Sequence, residues 1–361
     1  MRKRAEPAER KPEKPLPGGS RSRKAPAPAP GPGRCAWRTW LTWLVLGVCA
    51  AYLCAPLLLR LFPAIMHHAF FSHVVRIPFL TDLSRPEDLS LNHTVNLYLT
   101  SEQGVTLGVW HTVPERQWQE AQGKDPRWYE AALGNGAPVI IYLHGNTGSR
   151  AMAHRVGIVN VLSSLDFHVL AMDYRGFGDS SGEPTEPGLT TDALCLYKWV
   201  KERSRDSVVV IWGHSLGSGV STNTAVILQE QGTTVDGVIL EGAFTNARQE
   251  TAHHPFSWFY WRFPWFEYFF LDLVNENKII FPSDENVKKM QIPLLILHSE
   301  DDPVVPSHMG KELYRIAKQA ATSEKNVKLV LFEAPLGYKH NGLYKDERLP
   351  GIVREFVQSL K

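Results

Sequence analysis

Six short apolar runs, separated by helical patterns, constrain the fold of this chain more than any other feature. Continuous Val/Ile/Leu runs that alternate with helices are typical of a mostly parallel central sheet with helices on both faces. The six runs lie at 138–143, 168–172, 207–212, 237–240, 293–297 and 327–332. Two earlier runs, 95–100 and 106–112, flank Gly104 and predict an antiparallel pair. The sequence therefore predicts one α/β domain over residues 95–361.

A stretch of twenty uncharged residues, 40–59, precedes this domain. As a helix it extends roughly 30 Å, the thickness of the hydrocarbon core of a bilayer. A signal peptide is a poorer interpretation, because a 39-residue basic segment comes before the stretch. A buried core helix is a second alternative, although cores seldom use an uncharged run of this length. The sequence predicts one transmembrane helix at 40–59.

Charge is distributed unevenly around the predicted helix. Residues 1–39 carry eleven Lys and Arg against three acidic residues, whereas the twenty residues after Leu59 hold only Arg60 and Arg76. The positive-inside rule then places the N-terminus in the cytosol and the folded domain across the membrane. The sequon Asn92-His93-Thr94 would lie on that far side, which makes Asn92 a candidate glycosylation site.

The first 39 residues form a separate region by composition. They are rich in Pro, Gly, Ala and basic residues and have few bulky apolar side chains. Such a segment buries too little surface to offset chain entropy, so we predict a disordered basic tail over 1–39. The remainder of the chain has a net acidic charge. A basic tail on an acidic body favours contact with anionic lipid and does not indicate a nucleic-acid-binding domain.

Residues 60–94 are predicted to connect the membrane helix to the domain. They include His67, His68 and His73, which raises the question of a metal site. No carboxylate or cysteine is spaced in the sequence to complete such a site. An amphipathic connector at the membrane interface is the favoured interpretation, and no metal is expected.

The run at 207–212 leads directly into Gly213-His214-Ser215-Leu216-Gly217. A Gly-X-Ser-X-Gly turn between a strand and a helix holds its serine in a strained conformation, with the hydroxyl presented above the sheet. A glycine-rich turn with a passive serine is the alternative. The strand before the turn and the small residues after it favour Ser215 as a nucleophile.

A serine hydroxyl needs a base and an orienting acid, which in folds with this elbow follow in the order acid, then histidine. Two adjacent aspartates, Asp301 and Asp302, follow the run at 293–297. Asp302 is preferred because it opens the Asp-X-X-Val-Pro phrase common after this strand. His340 follows the last run and is the predicted base, whereas His308 is expected at the surface.

Charge that develops on the carbonyl oxygen during attack needs preorganised donors. One predicted donor is the backbone N–H of Leu216, directly after the nucleophile. The second should come from the loop 144–148, where Asn146 is preferred and Thr147 is the alternative. Removal of one such donor typically raises the activation free energy by about 3 kcal/mol. His144 is expected to brace this loop rather than act as a second base.

A cap is predicted between the strands that end at Leu240 and begin at Pro293, over about 244–290. Within it, residues 256–270 contain eleven aromatic side chains in fifteen positions. One packing face cannot hide so many rings, so some are expected to line an acyl-chain pocket or to enter the membrane interface. Trp258, Trp261 and Trp265 are the predicted substrate-binding residues, and pure cap packing is the alternative.

Several phrases together resemble the α/β-hydrolase superfamily over about 95–360. They are His144-Gly145-Asn146, Asp173-Tyr174-Arg175-Gly176-Phe177-Gly178-Asp179-Ser180, the elbow at 213–217, 300–306, 337–340, 108–114 and 284–288. They are most similar to the subgroup of membrane-anchored lysophosphatidylserine and monoacylglycerol lipases. Within this subgroup, the chain is expected to be a close paralogue of the lysophosphatidylserine lipase rather than that lipase itself, because the two N-terminal segments differ. The resemblance implies a lysophospholipid or monoacylglycerol substrate and a single-pass endoplasmic-reticulum protein with a lumenal active site.

The favoured function is therefore hydrolysis of a carboxylic ester in an amphiphilic lipid by Ser215, His340 and Asp302. Thioester hydrolysis, such as removal of acyl groups from proteins, is the enzymatic alternative, since the same triad serves both. A non-catalytic membrane binding protein on a hydrolase scaffold is an alternative of another class, which the intact triad disfavours. The sequence contains neither a Gly-rich phosphate loop nor a dinucleotide fingerprint, so no cofactor is expected.

Overall fold

The computed structural model describes residues 33–321 and 326–361. The described chain divides into two units, with the boundary between Cys54 and Ala55. The disorder predicted for the basic tail falls, for residues 1–32, outside the described residues, whereas the structure shows residues 33–39 as helical.

The first helix, α1, extends over Gly33–Leu61 and contains the predicted membrane segment. Its stretch Trp37–Leu61 is long and apolar enough to cross a membrane, and it is the one helix in the described ranges that meets this criterion. Trp40, Trp43 and most of the leucines of this stretch are exposed. A helix whose apolar side chains are exposed differs from a core helix, so α1 is a candidate membrane anchor.

In the described part of the chain, eight strands form one sheet in the order β1-β2-β4-β3-β5-β6-β7-β8. The strands are β1 Thr94–Glu102, β2 Val105–Thr112, β3 Val139–Leu143, β4 His168–Met172, β5 Val209–His214, β6 Gly237–Glu241, β7 Leu294–Ser299 and β8 Val327–Phe332. The pairs β1–β2 and β2–β4 are antiparallel, and all others are parallel. The predicted α/β-hydrolase type of sheet, with its antiparallel opening pair, is confirmed.

Further helices lie before, between and after these strands. They are α2 Pro63–Phe71, α3 Trp118–Ala121, α4 Pro126–Ala132, α5 Ala153–Ser164, α6 Glu186–Ser204, α7 Leu216–Glu230, α8 Ala247–His253, α9 Pro255–Trp258, α10 Asp272–Glu276, α11 Ser283–Lys289, α12 Ser307–Ala320 and α13 Leu349–Gln358. A π-helical turn, Glu267–Leu271, leads into α10. Short 3₁₀ turns lie at Pro86–Leu89, Glu115–Gln117, Leu133–Asn135, Ala334–Leu336 and Leu343–Lys345.

The apolar runs are uninterrupted because both faces of the sheet are buried. In β3, Val139, Ile141 and Leu143 pack in one core, whereas Ile140 and Tyr142 pack in the core on the opposite face. Successive strand residues point to opposite faces, so a strand covered on both sides must be apolar at every position. The core therefore lies on both faces of the sheet, and the loops at the carboxyl ends of the strands lie along its edge.

The order of the strands reverses at β3, which lies between β4 and β5. Leu143 at the end of β3 pairs with Gly213 near the end of β5. In open α/β sheets, ligand sites form outside the carboxyl ends of the strands at such a reversal. The loop 144–148 and the turn at Ser215 therefore meet at the position where the fold favours a site.

Candidate active site

Ser215 occupies a strained turn between β5 and α7. Its backbone has φ 53° and ψ −118°, a conformation that side-chain-bearing residues rarely adopt. A Cβ at Gly213 would collide with the carbonyl of Gly217, and a Cβ at Gly217 would collide with the carbonyl of Leu143. The Ser215 N–H donates to the Glu241 carbonyl at 2.9 Å, which ties the turn to β6. The two glycines thus permit the sharp bend that the motif predicts.

The structure brings His340 and Asp302 together from two loops. His340 Nδ1 lies 2.7 Å from Asp302 Oδ2. The other carboxylate oxygen, Oδ1, accepts the N–H groups of Val304 at 2.8 Å and Val305 at 2.9 Å. Burial alone would raise the pKa of the Asp302 carboxyl, but hydrogen bonds from His298 and His340 outweigh burial and hold that pKa well below its usual value. Asp302 is therefore an anion that orients the imidazole.

Asp301 lies in the same turn but has other partners. Its Oδ1 accepts the Ser299 hydroxyl at 2.6 Å and the backbone N–H of Lys339 at 2.9 Å. These bonds connect the turn that contains Asp301 and Asp302 to the backbone next to His340. The structure therefore places Asp302 against the imidazole and Asp301 against the loop that carries it.

Ser215 and His340 line the same cavity, which has a volume of about 480 Å³. His214 holds the backbone at His340, because the His214 Nε2–H donates to the His340 carbonyl at 3.0 Å. Within the described residues, the Ser215 hydroxyl and the His340 imidazole form no hydrogen bond to each other. Catalytic hydrogen bonds of this kind often tighten only when substrate is bound. Nε2 of His340 is the nitrogen left for the serine, since Nδ1 faces Asp302.

The two predicted oxyanion donors belong to residues that line the same cavity. Leu216 is the first residue of α7, so its N–H has no acceptor within the helix. In the loop after β3, the Thr147 N–H donates to the side-chain oxygen of Asn146 at 2.9 Å. The Asn146 side-chain amide donates to the Phe70 carbonyl. In the part of the chain that the structure describes, the Asn146 backbone N–H has no acceptor, which favours Asn146 over Thr147 as the second donor.

Arg155 is a residue of this site that the sequence reasoning missed. Its buried guanidinium donates to four carbonyls of one loop, those of Gly145 at 2.8 Å, Asn146 at 2.9 Å, Thr147 at 2.7 Å and Ser149 at 2.9 Å. Because these carbonyls are turned towards α5, the loop is fixed in one conformation. Arg155 is the third residue of α5, the helix that follows the candidate oxyanion loop. A basic residue at this position is the signal that could have identified it.

His144 is fully buried behind the same loop. Its Nδ1 lies 2.6 Å from the Gly145 carbonyl, and its Nε2 lies 3.2 Å from Asp173 Oδ1. Burial, followed by the charge of Arg155, lowers the pKa of the imidazole. The structure thus places His144 as a support for the loop, away from the cavity lining.

The connector after α1 forms one wall of the cavity. Met66, Ala69 and Phe70 of α2, with Ser72, line the cavity. Farther along, the carbonyls of Val75 and Ile77 accept the N–H groups of Gly148 at 3.1 Å and Ser149 at 3.0 Å. The sequence predicted an interfacial connector, and the structure adds that this segment directly contacts the loop that carries the candidate oxyanion donor Asn146.

The three predicted substrate-binding tryptophans do not line the cavity. Trp258, Trp261 and Trp265 are 57%, 53% and 75% exposed and lie on the outer surface of the cap. Instead, Phe256 and Phe270 of the same aromatic segment contribute to the cavity wall. Spacing alone could not separate the two groups, because the cap consists of short helical turns that present rings on every side.

The histidines of the connector acquire a carboxylate partner in the folded chain. The ligand atoms of His68, His73 and Glu183 all lie within 4.8 Å of one another. His73 Nε2 is 3.3 Å from Glu183 Oε2, and His67 Nε2 hydrogen-bonds to the Pro184 carbonyl at 2.8 Å. The sequence argument that no carboxylate completes this cluster is therefore wrong, because Glu183 is remote in sequence and adjacent in space.

A serine on a strained strand–helix turn, beside an imidazole held by a buried carboxylate, defines a serine ester hydrolase. The alpha/beta hydrolase fold model matches residues 138–280. The lysophosphatidylserine lipase ABHD12 of Gallus gallus is 50% identical over 315 residues, which cover 87% of this chain and 83% of that protein. The chain belongs to the α/β-hydrolase family, and the resemblance found in its motifs is confirmed.

Other relatives and solved structures agree with this assignment. Protein ABHD12B of Homo sapiens is 52% identical over 282 residues, covering 78% of this chain and 77% of that one. An esterase of Pyrococcus furiosus has a TM-score of 0.56 at 21% identity, covering 79% of this chain and 97% of its own. An α/β-hydrolase of Vibrio vulnificus has a TM-score of 0.58 at 17% identity, covering 82% and 92%. The solved structures show the shared fold.

Proposed function

We propose that the protein hydrolyses the carboxylic ester of an amphiphilic lipid, a lysophospholipid such as lysophosphatidylserine or a monoacylglycerol. The observation that carries the proposal is the lining of the cavity that holds Ser215 and His340. One wall is the connector that follows the candidate membrane helix, and apolar side chains such as Phe70, Phe256 and Phe270 contribute to it. A cavity of this kind suits an acyl chain that enters from a bilayer. The name of the Gallus gallus relative supports the same substrate class.

In the proposed mechanism, the Ser215 hydroxyl attacks the ester carbonyl while His340 Nε2 accepts its proton. Asp302 keeps the other ring proton on Nδ1 and stabilises the imidazolium that forms. The histidine then returns the proton to the leaving alcohol, which departs as glycerol or glycerophosphate bearing its headgroup. Water, activated by the same histidine, hydrolyses the acyl-serine and releases the fatty acid.

The negative charge on the tetrahedral oxygen is assigned to two backbone N–H groups, those of Leu216 and Asn146. Their proposed role is supported by their position at the start of α7 and in the loop held by Arg155. Because the loop is fixed before substrate binds, its donors need no reorganisation during the reaction. Only protein groups and water take part in these steps.

For location, we propose a single-pass endoplasmic-reticulum membrane protein with a cytosolic N-terminus and a lumenal catalytic domain. The excess of basic residues before the helix supports this orientation. Asn92 is exposed, so its sequon is accessible for glycosylation. The native protein expressed in mammalian cells should lose mass on deglycosylation, and Asn92→Gln should abolish that loss. An unglycosylated native protein whose catalytic domain is digested by protease added to intact microsomes would refute the orientation.

The substrate proposal is tested with the full chain in membranes. Lysophosphatidylserine, a monoacylglycerol, an acyl-cysteine thioester and a short soluble ester are compared for native protein and Ser215→Ala. We expect native protein to hydrolyse both lipids. In Ser215→Ala, turnover should fall by at least ~10³-fold, because nucleophile and base act as a unit. Turnover of the thioester alone would replace the proposal with the thioesterase function. Turnover of no lipid by native protein would contradict it.

A further inference from the structure

A carboxyl group of the cap lies in the cavity wall and, among the described residues, forms no hydrogen bond. Glu250 of α8 lines the same cavity as Ser215, and only 15% of its side chain is exposed. Among the described residues, its carboxyl group makes no hydrogen bond. Burying a carboxyl group without a partner is costly, so its presence calls for a function. Burial raises the pKa of Glu250 to about 8, so the group is largely neutral at pH 7.

His254 of the next turn faces this carboxyl group. Its Nδ1 accepts the backbone N–H of Phe256 at 3.2 Å, so the proton of the neutral ring is on Nε2. That Nε2 lies 4.0 Å from Glu250 Oε1, too far for a hydrogen bond. Burial, followed by the charge of His340, lowers the pKa of His254 and keeps the ring neutral. Because Nε2 carries the proton, the His254 ring supports an ionised Glu250 carboxylate as a nearby donor, while a cationic group of a ligand, itself a donor, contacts the carboxylate.

Two more polar atoms of the same cavity lack partners. Thr251 Oγ1 and His154 Nε2 are buried and have no hydrogen-bond partner in the described part of the chain. Burial lowers the pKa of His154 to about 3, so this ring is neutral as well. The nearby guanidinium of Arg155 is committed to the carbonyls of the oxyanion loop. Within the described residues, Glu250 and Thr251 therefore present oxygen acceptors to the cavity that no hydrogen bond occupies.

We propose that Glu250, supported by His254 and Thr251, forms a headgroup subsite that binds the primary ammonium group of an amine-bearing lysophospholipid. This inference rests on the proposed function and names the part of the substrate that the cavity distinguishes. An ammonium group close to the carboxyl group favours its ionised form and releases its proton to solvent. The result is a charge-assisted hydrogen bond, which an amine-free headgroup such as glycerol cannot form.

The test uses Glu250→Gln, which keeps the shape and neutral charge of the free side chain and removes its ability to ionise. Glu267→Gln is the matched control, because Glu267 is an exposed cap residue that pairs with Arg248. The full chain is assayed in membranes against lysophosphatidylserine, lysophosphatidylethanolamine, lysophosphatidylglycerol and a monoacylglycerol with one acyl chain in common. The measured quantity is the ratio of kcat/KM for each amine-bearing lipid to kcat/KM for lysophosphatidylglycerol.

We expect Glu250→Gln to lower this ratio about tenfold or more for both amine-bearing lipids, mainly through KM, and Glu267→Gln to leave it unchanged. An unchanged ratio in Glu250→Gln, or equal losses on all four lipids, would overturn the subsite. If native protein cleaves monoacylglycerol but has a lower kcat/KM for the two amine-bearing lipids than for lysophosphatidylglycerol, the subsite is refuted while ester hydrolysis stands. If native protein reacts with a fluorophosphonate but cleaves none of the lipids, the proposed function itself fails and the subsite with it.

Discussion

The imidazole of His340 and the carboxylate of Asp302 form a hydrogen bond of 2.7 Å between Nδ1 and Oδ2. The two side chains come from the loops after β8 and β7, which are adjacent parallel strands. The bond fixes the ring proton on Nδ1 and leaves Nε2 for the nucleophile. The other oxygen of Asp302 is held by two backbone N–H groups, so the carboxylate has little freedom to turn away.

The two neighbouring aspartates should differ sharply in their effect on catalysis. Asp302→Asn removes the negative charge and favours the wrong tautomer of His340, so we expect kcat to fall by roughly 10³–10⁴-fold. Asp301→Asn keeps acceptor capacity for the Lys339 N–H and should reduce kcat less than about tenfold. Steady-state hydrolysis of a soluble ester measures both. A larger loss in Asp301→Asn would reverse the assignment.

Replacement of Arg155 should disturb the candidate oxyanion loop, residues 144–148, without altering the contact between His340 and Asp302. Arg155→Lys retains a positive charge but offers fewer donors to the four carbonyls, so the Asn146 N–H should be poorly aligned. We expect kcat to fall by about 10²-fold with little change in KM, comparable to the loss of one oxyanion donor. The rate of fluorophosphonate labelling reports the same step. A folded Arg155→Lys variant with native kcat would show that the loop does not depend on this residue.

The exposed tryptophans of the cap should serve contact with the membrane rather than chemistry. Indole rings are favoured at the bilayer interface, and Trp258, Trp261 and Trp265 are on the outer surface. Replacing all three with serine should weaken hydrolysis of long-chain lipid in vesicles several-fold and leave a short soluble ester nearly unaffected. Phe256→Ser is the contrasting variant, because Phe256 lines the cavity. Equal losses on vesicle and soluble substrates in the tryptophan variant would contradict the interfacial role.

Stability should decline between pH 4.5 and pH 7 because of Glu241. Burial raises the pKa of this carboxyl group to about 7, from an ordinary value of 4.5. Above the ordinary value the unfolded chain releases the proton while the folded chain retains it, so rising pH favours unfolding until the folded pKa is passed. The contribution is roughly 3 kcal/mol.

Glu241→Gln removes this titration and retains an oxygen for the Trp212 indole N–H, which lies 2.9 Å from Oε2. Thermal unfolding of the purified chain should therefore show a smaller decrease in Tm from pH 5 to pH 7.5 in Glu241→Gln than in native protein. Glu250 titrates in both proteins and cancels in the comparison. Parallel Tm curves would show that Glu241 is not held protonated.

The sheet and the strained turn at Ser215 were predictable because each leaves a local signature. Continuous apolar runs report burial on both faces, and the spacing of Gly213 and Gly217 reports a bend that side chains would obstruct. Contacts between distant segments leave no such pattern. Arg155 reads as an ordinary helical residue until its four carbonyl partners are seen, and Glu183 lies 110 residues from His73. The aromatic cap was recognised, but which rings face the cavity depends on the path of short turns.

The nucleophile is tested most directly by locating the covalent adduct of a fluorophosphonate. The full chain in membranes is labelled, digested and sequenced by tandem mass spectrometry, with Ser215→Ala as the comparison. A hydroxyl raised on a strained turn beside His340 should carry the phosphonyl group, so the adduct should map to Ser215 and vanish in the variant. An adduct on another serine, or undiminished labelling of Ser215→Ala, would contradict this account.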